Sequence, residues 1–328
     1  MIDALTSFGT TIITPLYYAV SAVLLVWHRV FSTVLPEDSG WTWALSIIGL
    51  TVTIRALLIP LFVKQIKSSR NMQLLQPKIK DLQKKYGHDR ERLAQEQMKL
   101  WKDTGTNPFA SCLPIILQMP IFFALFRVLD NAANGRQKGM LSAGDADSLS
   151  RAKLLGAHIA DTFMNASNVE TRVLTIVLVV MMVATTFLTQ RQLMSKNMPA
   201  DAMSGPYAQQ QKMLLYVLPF VFAIGGVAFP VGVLLYWTTS NAWTMGQQFY
   251  VIRNNPAPGT PAFKSKQERD KKHGKEAAKD PVEVAKEEAA AEAAKAPPRQ
   301  QPKKQTRNQR KKQSRGQKPK ASGDNSPA

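Results

Sequence analysis

Long apolar runs alternate with basic polar stretches along the chain, and that alternation sets the plan of elements. Five runs reach or approach the ~20 residues that a helix needs to cross hydrocarbon: 41–63, 109–129, 172–190, 213–229 and 231–252. The last two meet at Pro230. With Pro219, Gly225 and Gly226 nearby, they predict a tight hairpin rather than one overlong helix. Between the first two runs, Met72, Leu75, Ile79, Leu82 and Tyr86 recur at intervals of 3, 4, 3 and 4. That is one apolar stripe on a basic helix. Gly87 is a stop, and Ala94, Met98 and Trp101 resume helical spacing, so 66–103 predicts a two-helix hairpin. Residues 12–31 are also long enough to span, but Pro15, Tyr17, Tyr18, Trp27 and the His28–Arg29 pair interrupt them. Aromatic and basic residues at one end suit a helix lying in the membrane interface. A further span, or an uncleaved signal anchor, is the alternative.

Charge orients this plan. The 328-residue chain has 42 Lys+Arg against 23 Asp+Glu, a formal net charge of +19. Its mean hydropathy of −0.16 averages two opposite parts. Segment 64–102 holds 11 basic and 4 acidic residues, 131–171 holds 4 of each, and 191–212 holds 3 and 1. The excess of Lys and Arg places 64–102, 191–212 and the tail in the cytoplasm, with the N-terminus outside. From 256 onward the chain carries 19 basic and 9 acidic residues and few large apolar ones, too little apolar surface to offset its conformational entropy. The divisions are therefore 1–40, an N-terminal interfacial part; 41–252, the core; and 253–328, a disordered basic tail. The fold class is an all-α membrane protein: five transmembrane helices around a hydrophilic groove, with a cytoplasmic helical hairpin.

One residue in the first run is out of character. Arg55 is its only charge, and eight residues at 1.5 Å rise put it about 12 Å from the Val63 end. On a lipid face it would cost about 2.5–3.5 kcal/mol. The five runs contain no Asp or Glu to pair with it. Arg55 is therefore expected to face a hydrated cavity open to the cytoplasm, its counter-charge coming from solvent or from outside the chain. Thr51 lies one turn earlier on the same face. Gln118 lies mid-run in the second helix, and Thr238, Thr239, Ser240, Asn241 and Gln247 make the last helix polar. Each alone is ordinary helix–helix hydrogen-bonding material; together with an unpaired Arg they favour a polar groove.

These residues resemble a known family. "TIRALLIPLFVKQIKSSRNMQLLQPKIKDLQKKYG", "GTNPFASCLPIILQMPIFFALFRVL" and "FPVGVLLYWTTSNAWTMGQQ" are similar, in order and spacing over about 41–253, to the core of the YidC membrane-protein insertases. The likeness is to the short Gram-positive, actinobacterial-like form. It implies a water-filled groove open to cytoplasm and lipid and closed to the outside. It implies that nascent integral membrane proteins are inserted and helped to fold there, alone or beside the Sec translocon. Arg55 matches the family's groove arginine, and Thr51, Gln118, Phe122 and Trp237 match positions of substrate contact, with Thr238 and Asn241 added from the polar run. The family's cytoplasmic hairpin matches 66–103, where Lys78, Lys80, Lys84 and Lys85 are candidate contacts for anionic lipid headgroups or a targeting partner. The bland alternative is a hairpin packing only on itself.

The tail leaves two readings open. It is a solvated or lipid-adsorbing segment, or it tethers ribosomes through rRNA phosphates, since no aromatic follows Phe263 for base stacking. No nucleotide-binding, hydrolase or metal-ligand motif occurs, the four histidines are scattered, and Cys112 is single. No enzyme, cofactor or metal is expected, and the location is the bacterial cell membrane. The rival function is a small anion transporter or channel using Arg55, which the lack of an inverted repeat disfavours.

Overall fold

The structure is a computed structural model that describes residues 2–107, 113–198, 209, 212–213, 215–276, 279–284 and 287. It divides into two compact units, Met1–Val282 and Glu283–Ala328; of the second, only 283, 284 and 287 are described. Cys112 and the start of the run read at 109–129 lie outside the described residues.

Helix α1, Ile2–Ser32, is followed by α2, Gly40–Leu57. Ser39 caps α2, its side chain accepting from the Trp41 N–H, as small polar residues do at helix starts. The two helices pack closely because Gly49 has no side chain: a Cβ there would stand 2.6 Å from the Trp27 ring. Trp27 Nε1 then reaches Thr53 Oγ1 at 2.9 Å. Beside it, the His28 ring lies 4.0 Å from that of Trp43.

The run read as one span at 41–63 is broken at Leu58, and α3, Ile59–Leu74, continues beyond the break. Pro60 is the cause, since it has no N–H for the carbonyl four residues back. The Leu58 N–H takes up Ala56 O instead. Helix α4, Gln76–Tyr86, ends at Gly87, and α5, Arg90–Asp103, starts where Asp89 accepts from the Arg92 N–H at 3.0 Å. The two pack as a hairpin, with Tyr86 beneath the cationic ends of Lys85 and Arg92, each 5.1 Å from its ring.

Helix α6, Leu113–Ala133, supplies Leu125, Val128 and Leu129 to a core shared with Trp43, Ile47 and Leu50 of α2. The following connection is ordered. It holds α7, Ala143–Arg151, with a Ser142/Asp145 capping box, and strands β1, Lys153–Leu154, and β2, Ala157–His158, paired antiparallel with Lys153 opposite His158. β1 crosses α2 at Gly40, where a Cβ would meet Lys153 O at 2.1 Å.

Helix α8, Val169–Asn197, buries Thr171, Thr175, Leu178 and Met182 along one stripe. Val173, Ile176, Val177 and Val180 are exposed on it, a surface suited to hydrocarbon. Among the described residues it is the most apolar of three helical stretches long and apolar enough to cross a membrane, with 13–32 and 40–57. Helix α9, Leu218–Gly226, packs on α8, and α10, Val231–Asn254, runs between α8 and α2. The Pro230 side chain cannot cap α10, so the connection before α8 does it instead. Val231 N–H donates to Asp161 O at 3.0 Å and Gly232 N–H to Ile159 O at 2.9 Å, satisfying donors that a helix start leaves open.

Order continues past the tail boundary read at 253. Helix α11, Pro261–Lys272, is capped by Thr260 and contacts α8 and α10. Ala257 N–H donates to Asn197 Oδ1 at 2.8 Å, and Gly259 N–H to Asp280 Oδ2 at 2.8 Å. Composition alone marks this stretch as tail; a few buried polar contacts fold it.

Candidate functional site at Arg55

Arg55 is the last basic residue of α2, one turn before the Pro60 break. It is 9% exposed. Its Nε donates to Ser240 Oγ of α10 at 3.0 Å, and Nη2 donates to the same oxygen. Phe62 of α3, seven residues on, lies with its ring centroid 5.7 Å from the guanidinium carbon. Among the described residues no carboxylate pairs with Arg55; the ion pairs are Lys84–Asp81 and Arg151–Asp147, both exposed. The side chain is thus more enclosed than a residue standing free in an open groove, and its fixed partner is one neutral hydroxyl.

Tyr236, one turn before Ser240 on the same face of α10, is 2% exposed. Gln118 Nε2 of α6 donates to the Tyr236 hydroxyl. Arg55, Ser240, Tyr236 and Gln118 therefore link α2, α6 and α10 in one polar cluster. Thr51 is buried one turn before Arg55, and its hydroxyl donates to Ile47 O at 2.7 Å, the usual answer of a threonine within a helix.

The other residues named from the sequence have different surroundings. Phe122 and Trp237 belong to an aromatic cluster: Trp237 lies 5.2 Å from Phe122, 4.8 Å from Phe222 and 6.0 Å from Phe229, between ring centroids. Thr238 donates to Leu178 O at 3.4 Å, and Asn241 Nδ2 donates to Thr186 Oγ1 at 3.0 Å. Both therefore turn to α8 and away from Arg55. On the hairpin, Lys78, Lys84 and Lys85 are exposed and Lys80 is half-buried. Sequence reasoning did not name Tyr236, and it named Ser240 only within the polar run of the last helix, not as the partner of Arg55. Their spacing of four was the available signal, but it needed the knowledge that α2, not α8, lies against that face.

An apolar helical body with a buried cation among neutral polar groups, and no counter-ion among the described residues, defines a membrane protein with an internal basic site. Family comparison makes the class specific. The family model described as "60Kd inner membrane protein" matches residues 34–258. Proteins named membrane protein insertase YidC are similar along much of the chain. The one from Streptomyces avermitilis is 49% identical over 263 residues, covering 77% of this chain and 61% of its own length. The one from Tropheryma whipplei is 36% identical over 286 residues, covering 82% and 92%. The one from Mycobacterium tuberculosis is 35% identical over 264 residues, covering 72% of each. The chain thus spans about three-fifths of the Streptomyces relative and nearly all of the Tropheryma one. A crystal structure of an active YidC insertase with its first transmembrane domain resolved overlaps at a TM-score of 0.47 and 22% identity, over 71% of this chain and 46% of that one; so loose an overlap fixes no residue here. The chain belongs to the 60Kd inner membrane protein family of YidC-type insertases, a family of bacterial membrane proteins and not of enzymes in the usual sense.

Proposed function

We propose that this protein inserts nascent membrane proteins from the cytoplasmic side and assists their folding, as a multi-pass protein of the cell membrane with its hairpin and C-terminus in the cytoplasm. The barrier to that work is carrying a hydrophilic segment through about 30 Å of hydrocarbon. A polar notch partway across shortens the path, and the substrate's apolar helix then partitions into lipid, so hydrophobic burial drives the step. One observation carries the reading: Arg55 is nine-tenths buried in an apolar helix and is held by Ser240, with no acid paired to it among the described residues. A cation so placed attracts acidic residues of a passing segment. Thr51 and Gln118 border that path, Phe122 and Trp237 offer an aromatic surface for the apolar helix, and Thr238 and Asn241 keep α8 against α10. Lys78, Lys80, Lys84 and Lys85 engage anionic headgroups or a targeting partner. The chain after Val282 reaches ribosomal phosphates, and the Sec translocon is a further partner. Nothing in the family comparison favours the anion-channel alternative.

The test is insertion of a single-span substrate with an acidic translocated segment into proteoliposomes. Arg55→Ala abolishes the advantage of that substrate over a neutral one, and Arg55→Lys keeps part of it. Equal losses in both variants, with both substrates, count against the charge-based role. Accelerated solute flux without insertion overturns the reading altogether.

A further inference from the structure

The manner in which Arg55 is held limits how it can receive an acid. A guanidinium accepts a carboxylate bidentately on its side-on edge, Nε with one Nη, or on its end-on edge, the two Nη groups. Ser240 Oγ takes both side-on donors, Nε at 3.0 Å and Nη2. The serine is itself 3% exposed, locked on α10 between the site and the helix interior. Nη1 and the second Nη2 proton have no partner among the described residues. Arg55 keeps 9% exposure. Tyr236, one turn before Ser240 on α10, accepts from Gln118 and keeps its own O–H proton to donate.

We propose that Ser240 is a positioning residue that sets how tightly acidic segments are held. It occupies the side-on edge of Arg55, so that an incoming carboxylate meets only the end-on edge. An insertase gains nothing from a carboxylate that stays bound, because each segment must move on. Ser240 keeps the capture brief by leaving one bidentate edge instead of two, so that a second carboxylate of the same segment finds no aligned pair of donors. This rests on Arg55 as the receiver of acidic segments, and the experiment separates the two ideas.

Full-length protein in proteoliposomes is given two single-span substrates, identical except that the translocated segment carries two Asp or two Asn. A photocrosslinker in that segment reports how long it stays at the site. Ser240→Ala frees the side-on edge: the acidic substrate is retained about tenfold longer, as one further charge-assisted hydrogen bond provides, and completes insertion more slowly. The neutral substrate is unaffected. Ser240→Thr, which keeps the hydroxyl, behaves like the parent. Equal slowing of both substrates by Ser240→Ala, or a Thr variant that resembles Ala, overturns the proposal in favour of plain packing. Arg55→Gln is the control. If it leaves the difference between the substrates intact, the reading of Arg55 itself fails. If it removes that difference while Ser240→Ala leaves retention unchanged, the Ser240 inference fails alone.

Discussion

Two buried charges in this protein are treated in opposite ways. Asp280, 3% exposed, accepts Gly259 N–H on Oδ2 at 2.8 Å and Val282 N–H on Oδ1 at 3.0 Å. Each carboxylate oxygen has a backbone donor, and the contact ties 279–282 back to 255–260 as a clasp on the ends of α8 and α10. Arg55, buried almost as deeply, has one hydroxyl for five donors among the described residues. A buried charge is costly unless its hydrogen-bonding capacity is met. Asp280 meets that demand within the chain and so serves the fold. Arg55 meets it only in part and so is available to something that arrives.

The largest expected effect tests the second half of that contrast. Arg55→Met fills the same volume with an apolar chain. A charge-assisted hydrogen bond is worth about 1.5–3 kcal/mol, so insertion of an acidic-segment substrate falls roughly ten- to a hundredfold. Folding stability does not fall, because replacing a poorly compensated buried ion by a well-packed apolar residue is neutral or stabilising. Insertion assays and thermal unfolding in detergent measure the two sides. A variant that is both inactive and destabilised places Arg55 with Asp280, as a structural charge.

The next effect reverses the signs. Asp280→Ala leaves the Gly259 and Val282 N–H groups without acceptors and lowers stability by about 1–3 kcal/mol, while insertion per folded molecule is unchanged. Asp280→Asn retains one acceptor oxygen and loses about half as much. Ending the chain at Asn254 removes the Ala257–Asn197 and Thr260 contacts as well and costs more than either substitution. Ending it at Val282 costs nothing in unfolding temperature. If the two truncations melt alike, the clasp does not stabilise the fold.

This contrast was half legible in the sequence. Arg55 stood out because a charge inside a long apolar run is rare, and Thr51 and Gln118 stood out for the same reason. The helices were legible because the runs have membrane-spanning length and the hairpin repeats at helical spacing. The 131–168 connection was not, since its balanced charge shows no period; its order comes from distant partners, such as Trp43 Nε1 on Ser148 Oγ at 3.0 Å. The clasp was hidden likewise. Lys- and Glu-rich composition reads as tail, and three polar side chains, Asn197, Thr260 and Asp280, the last accepting the Gly259 N–H, outweigh it through contacts up to 60 residues apart. The Pro60 break was written in the sequence, and the seven-residue spacing of Arg55 and Phe62 already puts them on one helix face.

The smallest expected effect comes from the same polar run that supplies Ser240. Thr238 and Asn241 share α10 with it, yet they point to α8 and spend their donors on Leu178 O, Met182 O and Thr186 Oγ1. Hydrogen bonds between helices in a membrane average about 0.6 kcal/mol, so Thr238→Val, which keeps the shape and loses the hydroxyl, lowers stability by about that much. Its ratio of acidic to neutral insertion matches the parent's, whereas Ser240→Ala shifts that ratio with little change in stability. Neighbouring residues on one helix then separate by the face they occupy, one side holding the bundle together and the other governing what Arg55 can bind. A Thr238→Val variant that alters the ratio as Ser240→Ala does shows instead that the whole polar run acts as one surface, and that the orientation of α10 between α2 and α8 does not divide its work.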